Sequence, residues 1–275
     1  MHAKTASSAV LALCLAAGAC ARKAPTFPSG AGTPFPDAAS AYEQATASCR
    51  SVKTLTASIS LSGKAARTKL RGRIDAGFAA PARMRLEGRA PFGRPVFVLT
   101  ADGDRATLVL PRDERVLSNA SPDRIVEALA GVPIGSDSLR TLVAGCGFST
   151  EAPTAGRLYN GGWAAVTVGN GTAYLRRTGS GWQLMGAVRE PLTVHYSDFA
   201  NGRPTTVQLR AAPRQGVPAD LTLRLSQVDI NTSLDPRTFQ AEVPEHAVPL
   251  TLEELRRAGP LGEASEETAP LTQGS

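Results

Sequence analysis

Residues 83–145 read RMRLEGRAPFGRPVFVLTADGDRATLVLPRDERVLSNASPDRIVEALAGVPIGSDSLRTLVAG, and the apolar period changes once along them. That change decides the fold. Met84, Leu86 and Gly88 fall on one side of an extended chain, with Arg83, Arg85 and Glu87 on the other. Ala106, Leu108 and Leu110 repeat the two-residue period, so the first part reads as three short strands joined by tight turns. From Ser121 the spacing becomes helical. Ser121 stands as N-cap, and Pro122 takes the first helical position, where its missing N–H costs nothing. Ile125, Leu129 and Val132 make the apolar stripe and Gly131 stops the helix. Leu139, Leu142 and Val143 make a second stripe, ended by Gly145. Helices this short do not stand alone in water, so both are expected to lie with their apolar faces on the sheet, as a lid.

Outward from this stretch the two-residue period recurs. Upstream, residues 37–50 favour a helix with Tyr42, Ala45 and Cys49 on one face, and residues 52–62 and 68–76 alternate apolar with polar. Downstream, strands are expected at 163–168, 172–177, 182–189, 192–199, 204–210 and 221–226, punctuated by Asn170-Gly171, Gly179-Ser180-Gly181 and Asn201-Gly202. Residues 234–243 and a helix over 252–257 close the unit. About eleven strands in continuous antiparallel order predict a mainly β (α+β) domain over 37–258. Its single curved sheet forms an open half-barrel, with an N-terminal helix and the lid helices over an apolar cavity. Residues 259–275 are polar and irregular, and are expected to be disordered.

Residues 1–19 read as an export signal. Lys4 supplies the basic start, and the apolar segment over 6–17 is too short to cross a bilayer. Ala17-Gly18-Ala19 before Cys20 fits two processing enzymes, as an A-x-A site or as a bacterial lipobox with Ala17 in place of the usual Leu. Cysteine arithmetic favours lipid on Cys20, because Cys49 and Cys146 then remain, an even number able to pair as a disulfide or to stay as two buried thiols. Ala21 after the cysteine resembles proteobacterial lipoproteins sent to the outer membrane. Residues 20–36 are rich in Pro, Gly and Ala without a period and read as a flexible tether, reaching at most roughly 50–60 Å.

The formal charge of +6 falls to +5 when Lys4 leaves with the signal, and the basic residues are spread over strand faces rather than gathered in a run. No recognition motif suggests nucleic acid, whereas a mildly basic face suits anionic headgroups as well as plain solvation. Of three histidines, His2 leaves with the signal, His195 falls in a strand and His246 in a Pro-flanked loop. No spacing fits a metal site, a phosphate loop or a serine nucleophile, so no catalytic residue, metal or cofactor is expected.

The run LEGRAPFGRPVFVLTADGDRATLVLP followed by DRIVEALAGVPIGSDSLRTLVAG resembles the core of the LolA/LolB family of periplasmic lipoprotein carriers and outer-membrane lipoprotein receptors. The resemblance rests on Pro91-Phe92-Gly93, on Gly131-Val132-Pro133-Ile134 and on Ser138-Leu139-Arg140 to Gly145, and it weakens after Phe148. Phe92 stands where the receptor has Leu, and the chain after Ala211 is longer. The resemblance implies a lipid-anchored, monomeric receptor on the periplasmic face of the outer membrane. Such a receptor takes lipoproteins or other lipids from a periplasmic carrier and uses Pro91, Phe92 and Gly93 as a membrane insertion loop. The bland reading of that loop is a hairpin whose ring folds back on the core. An envelope lipid sensor or interaction module on the same fold is the other functional reading.

A sheet that is dry on its concave side and roofed by amphipathic helices encloses room for acyl chains. Candidate cavity residues are Ile59, Leu61, Leu70, Leu86, Val98 and Leu108 from strands, with Ile125, Leu129, Leu139 and Leu142 from the lid. An aromatic content of 5 % favours an aliphatic space, against the simpler reading that these residues form an ordinary core.

Overall fold

The computed structural model describes residues 26–89, 95–212 and 218–258. A two-residue strand β1 (Thr33–Pro34) and helix α1 (Ala38–Arg50) lead into β2 (Thr54–Ala65), β3 (Thr68–Ala79), β4 (Arg83–Arg89), β5 (Phe97–Asp102), β6 (Arg105–Leu110) and β7 (Arg115–Ala120). Helices α2 (Pro122–Ala130) and α3 (Ser136–Ala144) follow. Then come β8 (Pro153–Tyr159), β9 (Trp163–Val168), β10 (Gly171–Thr178), β11 (Gly181–Arg189), β12 (Leu192–Ala200), β13 (Arg203–Ala211) and β14 (Ala219–Ile230). A 3-10 turn (Pro236–Phe239), β15 (Val248–Pro249) and α4 (Leu252–Ala258) end the described chain.

All fifteen strands belong to one open sheet, ordered β1-β8-β9-β10-β11-β12-β13-β14-β2-β3-β4-β5-β6-β7-β15. This corrects the expected eleven, and the reason lies in the four extra strands. β1 and β15 are two residues long, too short to show a period, while β7 and β8 alternate poorly between buried and open positions. β14 pairs antiparallel with β2 and so joins the C-terminal half of the sheet to the N-terminal half, whereas β15 lies parallel to β7.

Period-2 patterning gives the sheet a dry concave face. Along β2, Leu55, Ala57 and Ile59 are buried on that face, and Thr54, Thr56, Ser60 and Ser62 turn to the convex side. Helix α1 covers the concave side of β8 and β11, with Tyr42 1 % exposed and donating its hydroxyl to the Ser149 carbonyl at 2.7 Å. Gly156 makes this approach possible, because a Cβ there would lie 2.4 Å from the Ala38 methyl. A disulfide joins Cys49 of α1 to Cys146 just beyond α3, with the Cα atoms 5.6 Å apart. Tyr196, wholly buried in β12, donates to the Leu142 carbonyl and accepts from the Gly147 N–H, both at 2.9 Å. Its burial pushes the phenol pKa well above the ordinary value.

Two helix starts differ in chemistry. The Ser121 hydroxyl bonds the Asp123 carboxylate rather than a backbone N–H, so α2 begins without the side-chain cap expected of it. Helix α4 begins with a capping box, in which the Thr251 hydroxyl accepts from the Glu254 N–H and the Glu254 carboxylate accepts from the Thr251 N–H. Those bonds, with Arg115 3.0 Å away, hold the Glu254 carboxyl at a pKa of about 2.

The N-terminal segment requires a further correction. Residues 26–36, read from sequence as free tether, are bound to the sheet. β1 pairs with β8, Phe35 is buried, and the Phe27 ring stacks between Tyr174 at 4.1 Å and His195 at 4.2 Å. Gly186 makes the slot, since a Cβ there would come within 2.5 Å of the Phe27 ring. Single aromatic anchors in a Pro/Gly-rich stretch carry no periodicity, so reading by period missed them. Cys20, the 90–94 loop with Pro91, Phe92 and Gly93, and residues 259–275 lie outside the described residues.

Candidate functional site: an apolar cavity beneath α2 and α3

Helices α2 and α3 roof the concave face, and their stripes do not fill it. Between helices and sheet lies a cavity of about 210 Å³. Strands β2, β3 and β4 contribute Leu61, Leu70, Ile74 and Leu86, and β5 contributes Phe97 and Leu99. Leu209, Leu221 and Leu223 come from β13 and β14, while Val126, Leu129, Val132, Ile134 and Leu139 come from the helices and their elbow. Among the described residues Phe97 is the one aromatic of this wall, and its ring lies against Gly88, where a Cβ would stand 2.4 Å from it.

Leu61, Leu70, Leu86, Leu129 and Leu139 were named from sequence and line the cavity. Ile59, Leu108, Ile125 and Leu142 are instead buried in the surrounding core, where they pack rather than face open space. Val98 is on the other side of the sheet. Register pairs Leu86 with Leu99 on the concave face and Glu87 with Val98 on the convex one. The run Phe97-Val98-Leu99 is apolar throughout and buried on both faces, so its period cannot tell the two sides apart. Leu209, Leu221 and Leu223 were missed for a different reason. Their alternation is visible, but only the long-range pairing of β14 with β2 brings them to this wall.

The cavity has a mouth at Gly72. This residue lies on the concave side between Leu70 and Ile74, yet it is exposed, and an added Cβ would meet nothing within 4 Å. A space of about 210 Å³ is below the roughly 300–1,000 Å³ of ordinary ligand pockets, but above the roughly 150 Å³ apolar cavity that stays dry and admits benzene. As it stands it suits one short apolar segment, and several long chains would require the roof to lift.

Among the described residues no His, Cys, Asp and Glu side chains gather where they could hold a metal ion. His195 is remote from the cavity wall, beneath Phe27. Burial lowers its pKa, helped by Arg210, and its buried Nδ1 has no hydrogen-bond partner among the described residues. Arg189 also has its pKa lowered by burial, with its guanidinium 4.9 Å from the centre of the Phe148 ring, next to α3 rather than in the cavity.

No protein-family model and no curated protein matches the chain. Among solved structures, a LolA superfamily protein from Nitrosomonas europaea superposes with a TM-score of 0.51 at 13 % identity, covering 74 % of this chain and 97 % of that one. The chain has the fold of that protein. A domain named for outer membrane lipoprotein sorting, from Vibrio parahaemolyticus, gives 0.48 at 11 % identity, with 74 % and 97 % covered. A DUF1329 family protein from Desulfovibrio piger gives 0.48 at 9 % identity, with 76 % and 98 % covered.

Proposed function

We propose that this protein is a lipid-anchored envelope lipoprotein that takes acyl chains into the cavity under α2 and α3. In this reading it receives lipoproteins, or other lipids, from a periplasmic carrier and passes them to the outer membrane. The observation that carries the proposal is the aliphatic cavity, walled by both halves of the sheet and open at Gly72. Acyl chains need such cover in water, because each buried CH₂ is worth about 0.8 kcal/mol. Cys20 is the anchor in this reading. In the same reading Phe92, which lies in sequence between β4 and β5, enters lipid as cargo leaves; Gly88 and Phe97, the paired residues at those strand ends, line the cavity.

Gly72→Trp tests the cavity directly. The position is in a strand and exposed, and an added Cβ would meet nothing within 4 Å, so the protein should remain folded. Binding of a fluorescent fatty acid should fall sharply while the urea midpoint stays near that of the parent. Unchanged binding in the folded variant would remove the cavity from the function. Phe92→Glu should leave fatty acid binding intact and block delivery from a loaded carrier to liposomes.

A further inference from the structure

The convex face of the sheet carries a charge pattern that the cavity does not use. Residues directly opposite in register share a face, so the strand pairings define rows across it. One row runs Arg224, Ser60, Arg73, Arg89 across β14, β2, β3 and β4. Its neighbour runs Thr222, Ser62, Arg71, and the row beyond runs Arg210, Asp220, Lys64, Lys69, in which Asp220 is ion-paired to Arg210. Arg73 faces Arg89 directly, an arrangement of like charges that costs stability. Arg89 turns to Asp75, whereas Arg71, Arg73, Arg224, Lys64 and Lys69 are exposed and have no carboxylate partner among the described residues. The small hydroxyl side chains of Ser60, Ser62 and Thr222 lie between these cations.

The pattern is also one-sided. In the opposite direction along the same strands the charges are mixed and largely paired, Asp75 with Arg89 and Glu87 with Arg85, and Asp229 stands opposite Thr56. The basic end is the end where Gly72 opens the cavity, and Arg71, Gly72 and Arg73 are themselves part of the cavity wall. Furthermore, the Arg71 row continues through Gln208 and His195 to Gly186 and Tyr174, the slot that holds Phe27. Five strand spacings of about 4.8 Å set Phe27 about 24 Å from Arg71 on the same face.

We propose that this convex, mouth-proximal face is an electrostatic docking surface for a bilayer rich in anionic headgroups. An array of headgroup phosphates complements unpaired cations spread over the convex face, and Phe27, the anchored residue nearest the N-terminus, lies on the same side. Docking there sets the cavity mouth beside the bilayer. The proposal adds a membrane-contact surface to the acyl-chain reading, and it is tested without relying on the cavity.

The test uses the full chain with Cys20→Ser, so that no acyl anchor contributes, sedimented with phosphatidylglycerol/phosphatidylcholine vesicles and with phosphatidylcholine vesicles alone. Binding is expected to the first and not the second, and to be lost as salt rises from about 0.1 M to about 1 M, which shortens the screening length from about 10 Å to about 3 Å. Lys64→Gln/Lys69→Gln/Arg224→Gln should lower partitioning about 100-fold, about fivefold per residue. A control with the same charge change, Arg124→Gln/Arg237→Gln/Arg257→Gln, should change it little. Fatty acid binding, measured in parallel, should be equal in all three proteins. Equal losses in both triple variants would reduce the effect to net charge and overturn the proposal. So would absence of binding to the anionic vesicles, which would leave the face to an acidic protein partner.

Discussion

Leu129 lines the cavity from α2 and is 7 % exposed, so Leu129→Glu places a carboxyl in a mainly aliphatic wall, in which Arg71, Arg73 and Arg89 hold strand positions that alternate with the concave ones. Losing the leucine costs about 2 kcal/mol at the low end of core truncations, because the space it vacates joins an existing void. The carboxyl adds a pH-dependent cost. In the unfolded chain it titrates near 4.3, and burial without a partner raises the folded value, here to about 7. Between those values the folded state holds a proton that the unfolded state has released, so stability relative to the parent falls as pH rises through this window. At about 1.36 kcal/mol per pH unit the loss reaches about 3.7 kcal/mol by pH 8. The variant should therefore trail the parent by about 2 kcal/mol near pH 4 and by about 6 kcal/mol at pH 8, a large share of the 5–15 kcal/mol typical of a domain. Urea unfolding of both proteins across this range measures the difference, with Leu129→Gln as a control that does not titrate. Fatty acid binding should be weaker at pH 8 than at pH 5 in the variant alone. A deficit that is small and independent of pH would mean that position 129 faces water, and the cavity assignment would fail with it.

Three further outcomes are expected. Replacing Cys49 and Cys146 together by Ser opens a loop with a sequence separation of 97 and should cost up to about 4–5 kcal/mol in urea unfolding, while alkylation of the native protein should label neither cysteine. Tyr196→Phe leaves the Gly147 N–H and the Leu142 carbonyl without their buried partner and should cost about 1–3 kcal/mol, with no change in vesicle binding. Phe27→Ala uncovers His195, so NMR titration should find its pKa moved up towards 6.5. In the parent the depressed histidine contributes stability that is full above about 6.5 and lost as pH falls below it, and the variant should lack that dependence.

What the sequence revealed follows the range of the interactions. Alternation along β2 to β6 and the stripes of α2 and α3 are local, and they placed the sheet, the roof and half of the cavity wall. Val98 failed because a strand buried on both faces has no polar side to mark its register. Leu221 and Leu223 were placed on a strand, but their contact with the far half of the sheet depends on β14 meeting β2, a pairing separated by most of the chain. Phe27 and Phe35 belong to a third class. Each is a single side chain filling a single slot, opened by Gly186 in one case and packed beside Trp182 in the other, and neither repeats.

The ties at the two ends of the roof are unequal. Beyond α3, the bond from Cys146 to Cys49 and the two hydrogen bonds of Tyr196 make a fulcrum. At α2, the ion pair joining the roof to α4 is Glu127 with Arg256, exposed and 3.8 Å apart, a latch worth little. Helix α3 has nine residues and is about 13 Å long, so a tilt of about 20° about its fixed end raises the elbow near Pro133 by about 4–5 Å. In the acyl-chain reading the roof would act as a lever, in which a small rotation at a covalently pinned joint would give clearance of about one hydrocarbon chain without parting the strands of the sheet.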